Sequence, residues 1–208
     1  PIAGARIWVR PAVTTGLLQA TTGTDGRYRV QGLATIPYHA YAWTTFQYRG
    51  KPVCLRLAST AASDYDSFVP TQGAVRNFRL QLDGEIEAGS GEYFGGELRL
   101  FVPARPAGMK LMVTFTPDGP LVDGSAGRAI TREITESLQK NLPVGVYKVT
   151  AAFVSANGQR IPLTLNNDGG SEYAPETTLQ WTTDGSCVGS TGSGPDRAFL
   201  WIDDVAEE

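Results

Sequence analysis

Few residues of this chain have the types and spacing that catalysis needs. The only histidine, His39, lies in a predicted strand, which rules out multi-histidine metal sites and favours a histidine that is satisfied within a sheet. Neither Cys54 nor Cys187 has a neighbouring histidine or a C-x-x-C partner that would activate a thiol. The glycine-rich run 189–194 lacks the lysine of a phosphate-binding loop. The sequence therefore predicts a protein that is not an enzyme.

Carboxylates are the remaining chemical groups. Most aspartates stand beside Gly, Ser or Pro, where aspartate usually forms turns: Asp64, Asp66, Asp118, Asp123, Asp168 and Asp184. The pair Asp203 and Asp204 near the C-terminus is the one metal hypothesis, because with a loop aspartate it could supply the several hard oxygens that Ca²⁺ takes. We otherwise expect no cofactor.

Trp8 is the main candidate for recognition. It lies between Arg6 and Arg10 and opposite Ile7 and Val9, so the alternation predicts that it faces outward from a strand. An exposed tryptophan flanked by arginines suits either an anchor in a protein interface or a stacking platform for a sugar ring. We therefore predict an interaction surface at Arg6, Trp8 and Arg10. The other tryptophans are expected to fill cores: Trp43, Trp181 and Trp201.

The composition indicates which elements position these residues. A chain of 208 residues with 41% hydrophobic content, 24 Gly and 13 Pro is typical of an all-β protein with many turns. A net charge of -3 with scattered basic residues argues against a nucleic-acid partner. No apolar run approaches the ~20 residues needed to cross a bilayer, so no membrane span is expected.

Period-two patterns predict strands along both halves of the chain. In Arg27-Tyr28-Arg29-Val30, the second and fourth side chains should enter a core while the arginines stay in water. A long loop is expected over 58–73, and 128–141 is the one helix candidate, with a strand as the alternative because its β-branched residues disfavour a helix. The predicted strands cover 5–10, 27–31, 38–48, 52–58, 75–82, 97–102 and 111–116.

Three segments occur in an order that resembles a known family: PIAGA at 1–5 leading into RIWVR, TTGTDGRYRVQGL at 21–33, and YHAYA at 38–42. The order is similar to that of the carboxypeptidase-regulatory-like family, and the resemblance covers about residues 1–82. It implies a seven-stranded transthyretin-like sandwich. Such domains usually open with a G-x-V strand before the P-x-x-G-A segment, so the resemblance implies that another segment fills that place or that it was trimmed. The family's domain is an accessory one without zinc ligands, so no peptidase activity is implied.

The second half repeats part of the first in outline. A tyrosine opens a strand at Tyr38 and again at Tyr147, and a glycine turn and a leucine-bearing strand follow each, which predicts two related hairpins. The C-terminal AFLWIDDV at 198–205 resembles the last strand of jelly-roll carbohydrate-binding modules, in which an aspartate can ligate calcium. We therefore expect two tandem antiparallel β-sandwiches, the first transthyretin-like or Ig-like over 1–84, the second Ig-like or jelly-roll over 97–208, joined by a linker or edge at 85–96, with at most one short helix.

The two cysteines fall in different halves. The favoured interpretation is that Cys54 and Cys187 are free or separately placed thiols, since one pair is too few to indicate a disulfide framework. The alternative is a bridge between them, which would have to cross between the expected domains.

Two hypotheses follow. The first is a non-catalytic structural or interaction protein, secreted, at a cell surface or in a virion, which assembles with other protein chains as a homo-oligomer or polymer by strand exchange at an open sheet edge. The alternative is a polysaccharide-binding module attached to or associated with a secreted enzyme, which an exposed Trp8 and the jelly-roll-like C-terminus suggest.

Overall fold

The computed structural model describes residues 1–71, 73–183, 187 and 194–204; Asp184 and the run 189–193 therefore lie outside the described residues. The fold is all-β, with 46% of residues in strands arranged in two sheets, which confirms the predicted fold class. No helix among the described residues is long and apolar enough to span a membrane.

The chain forms two compact units, and its C-terminal part contributes to both. The first unit comprises Pro1–Gly95 and Thr182–Pro195, and the second comprises Gly96–Trp181 and Asp196–Glu208. The first unit therefore extends past the expected boundary at residue 84 and also takes in a segment from about a hundred residues downstream. Contacts between segments so far apart in sequence leave no signal in the local composition. The domain bounds predicted from the sequence therefore miss this downstream segment.

The first unit is built on one antiparallel sheet of five strands. The strands are β1 (Arg6–Pro11), β2 (Leu18–Thr21), β3 (Tyr38–Tyr48), β4 (Lys51–Ser59) and β5 (Phe78–Arg79). Their order in the sheet is β2-β1-β3-β4-β5. The long central hairpin turns at Arg49-Gly50, where both residues have positive φ (48° and 76°), as a two-residue hairpin loop with the right twist requires. A short 3-10 helix, Ala62–Tyr65, interrupts the expected loop.

Both faces of this sheet are covered. The inner face carries an apolar cluster made by alternate residues of the central strands: Ala5, Ile7, Val9, Tyr38, Ala40, Ala42 and Leu57. The opposite face carries a second cluster: Trp8, Trp43, Cys54 and Cys187. Because successive side chains of a strand point to opposite faces, the same strands supply both clusters.

The stretch expected as a linker folds back onto the first unit. Glu85 pairs with Tyr93 in an isolated β-bridge, and Ile86 and Phe94 are buried against Ala58. The Glu85 carboxylate accepts the N–H groups of the glycines at 89 and 91, and these bonds lower its pKa below the ordinary value. The acidic, glycine-rich composition thus belongs to an ordered turn.

The second unit is an eight-stranded sheet. The strands are β6 (Gly96–Phe101), β7 (Met109–Pro117), β8 (Ile130–Glu133), β9 (Leu138–Leu142), β10 (Val146–Ser155), β11 (Arg160–Asn166), β12 (Thr177–Gln180) and β13 (Ala198–Asp204). Their order is β8-β7-β10-β11-β13-β6-β9, with β12 paired to β10. All pairs are antiparallel except β13 with β6. The segment that joins β8 to β9 makes hydrogen bonds to β7, next to one end of this order, and to β6, next to the other end. The Ile134 N–H donates to the Leu111 carbonyl, and the Leu100 N–H donates to the Ser137 carbonyl.

The helix candidate over 128–141 is wrong, and its strand alternative is right. The segment forms β8 and β9, separated by a bend at 136–137. An apolar residue at every fourth position suggested a helix. However, Ile130, Thr131 and Ile134 are β-branched and lose side-chain freedom in a helix. The segment forms strands because β8 pairs with β7 and β9 pairs with β6.

Candidate functional site

A groove runs over the inner face of the sheet in the first unit. Its two walls are the segments 27–33 and 73–77, and neither contains a helix, strand or turn. The larger part of the groove has a volume of about 610 Å³, and Val9, Ala40 and Phe68 are among the residues that line it. Apolar side chains of the core are therefore reachable from outside between the two walls.

A smaller part of about 320 Å³ continues the groove along the sheet towards Pro1 and Phe78. Tyr28 and Arg76 line both parts, so the two form one groove. Along the first wall, the chain runs from the smaller part of the groove towards the larger part. Along the second wall, it runs in the opposite direction. A strand placed between them would be antiparallel to one wall and parallel to the other.

Most backbone hydrogen-bonding groups of the two walls have no partner among the described residues; on the second wall the carbonyls of Val75, Arg76 and Asn77 are the exceptions. Among the described residues, no N–H or C=O of 28–33 makes a hydrogen bond, and neither does any N–H of 73–77. Only the last residue of the second wall is tied to the sheet, through the bond from Thr60 N–H to the Asn77 carbonyl. Two facing chain segments, with free N–H groups on both walls and free carbonyls on the first, are the arrangement that an added β-strand needs.

Side chains of the first wall alternate as predicted. Tyr28 and Val30 are half-buried against the inner core cluster, and Arg27 and Arg29 are exposed. The prediction of a paired strand over 27–31 is nevertheless wrong, because no strand lies beside this segment among the described residues. Val75, on the second wall, is 74% exposed, which leaves a large apolar side chain at the groove rim.

Tyr28 reaches across the groove. Its hydroxyl donates a 2.8 Å hydrogen bond to the carbonyl of Arg76, and its ring lies 6.3 Å from that of Phe78. Paired strands lie about 4.8 Å apart, whereas here a whole side chain is needed to join the two backbones. The bond therefore joins the two walls through a side chain and not through paired backbone groups.

Burial raises the pKa of the Tyr28 hydroxyl from 10.0 to about 12, with a smaller lowering by Arg76 and a smaller raising by Asp64. Between about pH 10 and 12 an unfolded chain loses this proton while the folded chain keeps it, so stability should fall as the pH rises through that range. The difference in tyrosinate absorbance between the wild type and Tyr28→Phe should therefore titrate near pH 12. A difference curve centred at the ordinary value of 10.0 would contradict this assignment.

Arg76 is fixed from several sides. Its guanidinium lies 3.6 Å from the Asp64 carboxylate and 4.6 Å from the centroid of the Phe68 ring. Its Nε is buried and has no hydrogen-bond partner among the described residues. A buried donor without a partner costs free energy until an acceptor arrives. Arg76, which lines the groove, therefore carries one unsatisfied buried donor.

Trp8, the predicted recognition residue, is buried, with 1% of its surface exposed, so the predicted surface at Arg6, Trp8 and Arg10 is corrected. The alternation places Trp8 on the face opposite the inner core, as expected, but that face is covered. Its ring lies 4.5 Å from that of Trp43, in the cluster that contains Cys187. Arg6 is exposed, and the half-buried Arg10 stacks its guanidinium 5.5 Å from the Trp8 ring.

The cover on this face is cross-linked to the sheet. Cys54 and Cys187 form a disulfide with a Cα–Cα distance of 5.8 Å, which overturns the expectation of two separate thiols. Thr183 adds a bond, because its hydroxyl accepts the Cys54 N–H at 3.0 Å. The bridge crosses no boundary between units, because both cysteines belong to the first unit.

The calcium hypothesis concerns two residues, and the side chain of only one is described. Asp203 is exposed on β13, where its carbonyl accepts the Thr164 hydroxyl at 3.4 Å; the side chain of Asp204 is not described. Within the described ranges, no group of three or more His, Cys, Asp or Glu side chains is placed to hold a metal ion. The calcium site stays a prediction.

The second unit carries an aromatic ridge on the outer face of β6 and β13, formed by Phe101, Phe199 and Trp201. The rings of Phe101 and Trp201 stack at 5.0 Å with an interplanar angle of 11°. A Cβ added at Gly169 would lie 3.3 Å from the Trp201 ring, so backbone lies against the indole on another side. Trp201 is half-buried in this ridge, whereas Trp43 and Trp181 are in cores as predicted.

Sequence reasoning identified the residues of the groove walls but not the groove. The period-two patterns at 27–31 and 75–82 correctly indicated which side chains face the core. Such a pattern does not say whether a neighbouring strand exists, and here the strand assignment covers only Phe78–Arg79 of the second segment.

His39 also has an ordinary structural role. Its Nδ1 donates to the Tyr65 carbonyl at 3.1 Å, and its ring stacks with Tyr41 at 6.2 Å. It is therefore satisfied within the sheet region, as the sequence predicted.

Comparison with protein-family models, with curated proteins and with solved structures finds no match to this chain.

Proposed function

We propose that this protein is a non-catalytic structural or interaction protein whose first unit is completed by a β-strand from another segment, supplied by a neighbouring chain in an assembly. The observation that carries the proposal is the groove between 27–33 and 73–77, which has an apolar floor and no bonded N–H over 28–33 and 73–77 among the described residues. An inserted strand would satisfy those backbone groups and cover the core at the same time.

The compartment we propose is outside the cytoplasm: secreted, at a cell surface or in a virion. The buried Cys54–Cys187 disulfide supports this, because such bridges persist mainly in oxidising surroundings. Polysaccharide binding was the alternative, and it depended on an exposed Trp8 and on the jelly-roll-like C-terminal strand. Trp8 is buried, and Trp201 on that strand is half-buried and stacked on Phe101, so the structure lends this alternative less support.

A pair of proline variants tests strand completion. Successive N–H groups of an extended chain point to opposite sides, so one of Ala74→Pro and Val75→Pro should remove a donor that faces the groove, while the other serves as its control. Both residues are exposed and neither N–H is bonded among the described residues, so the free protein should tolerate both changes.

The measurement is assembly by size-exclusion chromatography and electron microscopy, together with amide hydrogen exchange of 28–33 and 73–77. We expect assembly to protect these amides and one proline variant to reduce both assembly and protection. A chain that stays monomeric under all conditions, or an assembly that leaves these amides unprotected, would contradict the proposal.

A further inference from the structure

We propose that the groove binds an extended peptide segment whose apolar residues alternate with carboxylates, and that its entry displaces the Tyr28 hydroxyl from the Arg76 carbonyl. The inference rests on the proposed function and names the chemistry of the strand that fills the groove. Alternation is required because one face of the strand would meet the apolar floor and the other would face water.

The charge of the groove selects the outward-facing residues. The lining of its two parts includes four arginines and only one carboxylate: Arg27, Arg29, Arg76, Arg79 and Asp25. The Arg27–Asp25 pair is loose, at 4.0 Å with both side chains exposed, and Arg29 makes no ion pair among the described residues. Opposite charges directly across neighbouring strands attract, so glutamate or aspartate beside the exposed arginines of the first wall is favoured over lysine.

The buried Nε of Arg76 gives a second reason for an acceptor-rich ligand. Its guanidinium is already fixed by Asp64 and Phe68, yet Nε has no partner among the described residues. Because Nε is buried, a carbonyl or carboxylate of the incoming segment can accept this hydrogen bond only if entry of the strand opens the Arg76 side chain towards the groove. The hydrogen bond is charge-assisted and therefore stronger than one between neutral groups.

Tyr28 competes with the incoming strand. Its hydroxyl occupies the Arg76 carbonyl, which faces the same gap that the strand would fill. When a backbone N–H of the peptide takes this carbonyl, the Tyr28 bond must break. The free protein therefore holds the middle of the groove closed by one hydrogen bond, and removing that bond should favour binding.

The probe is a seven-residue peptide of alternating valine and glutamate with blocked ends, which matches the seven residues of the first wall at about 3.3 Å per residue. Matched peptides carry lysine in place of glutamate, or proline at the centre. Binding to the full chain is followed by fluorescence polarisation, and hydrogen exchange reports the amides of 28–33 and 73–77.

We expect the glutamate peptide to bind and to protect both walls, the lysine peptide to bind at least about fivefold more weakly, and the proline peptide not to bind. The double variant Arg27→Glu/Arg29→Glu should reverse the preference. Tyr28→Phe should bind the glutamate peptide about threefold to tenfold more tightly, as expected for the loss of one competing hydrogen bond. Thermal melts of each variant show whether it is folded.

The possible results distinguish a failure of the acidic specificity from a failure of strand completion. Equal binding of glutamate and lysine peptides, with both walls protected, would overturn the acidic specificity and leave strand completion standing. Weaker binding by folded Tyr28→Phe would overturn the role of Tyr28. If no peptide protects the walls and the proline pair leaves assembly unchanged, both this inference and the proposed function fail.

Discussion

Removal of the Cys54–Cys187 bridge should destabilise the first unit by about 4–5 kcal/mol. The cysteines are 133 residues apart in sequence, and a cross-link that closes so long a loop removes a large amount of conformational entropy from the unfolded chain. The effect should be seen in the double variant Cys54→Ala/Cys187→Ala and, equally, on reduction of the wild type.

The same change should alter tryptophan fluorescence. Trp8 and Trp43 are packed in the cluster that contains both half-cystines, and each is almost fully buried. Without the cross-link the cover held by Cys187 can leave the sheet, so we expect a red-shifted emission before global unfolding in denaturant. A reducing agent should have no effect on the double alanine variant. An unchanged midpoint of unfolding after complete reduction would contradict the assigned bridge.

The substitution Gly96→Ala should destabilise the second unit by about 3 kcal/mol, because an added methyl group would overlap a buried side chain. A Cβ at this position would lie 2.6 Å from Cδ2 of Trp181. That indole is 1% exposed, donates its N–H to the Glu97 carbonyl at 2.8 Å, and meets the Tyr147 ring edge-on at 6.0 Å. The ring has no free direction in which to move.

A double-mutant cycle tests this explanation. Trp181→Leu alone should cost about 3 kcal/mol, because it leaves a cavity and removes the bond to Glu97. In the double variant Gly96→Ala/Trp181→Leu the added methyl group can occupy part of that cavity, so we expect the combined cost to be at least about 1 kcal/mol smaller than the sum of the two single costs. Strict additivity in the free energy of unfolding, measured by denaturant titration, would show that steric overlap is not the cause.

Much of the first unit could be read from local patterns. The Tyr38–Tyr48 and Lys51–Ser59 strands and the turn between them follow from alternating side chains and the Arg49-Gly50 pair, all of which act over a few residues. The inward direction of Tyr28 and Val30 follows from the same period of two. These features depend on backbone geometry, which neighbouring residues determine.

Tertiary structure alone decided what covers each face and edge. Trp8 lies on the face that the sequence indicates, yet it is buried because Thr183 and Cys187 return to that face from the far end of the chain. Residues 27–31 alternate like a strand, yet the backbone of 28–31 remains unpaired because no described strand lies beside it. An alternating pattern predicts which side chains share a face of a strand. Whether that face is buried and whether the strand is paired depend on distant segments, whose positions no local pattern predicts. For that physical reason the recognition surface that we propose lies in the groove between 27–33 and 73–77 and not at Trp8.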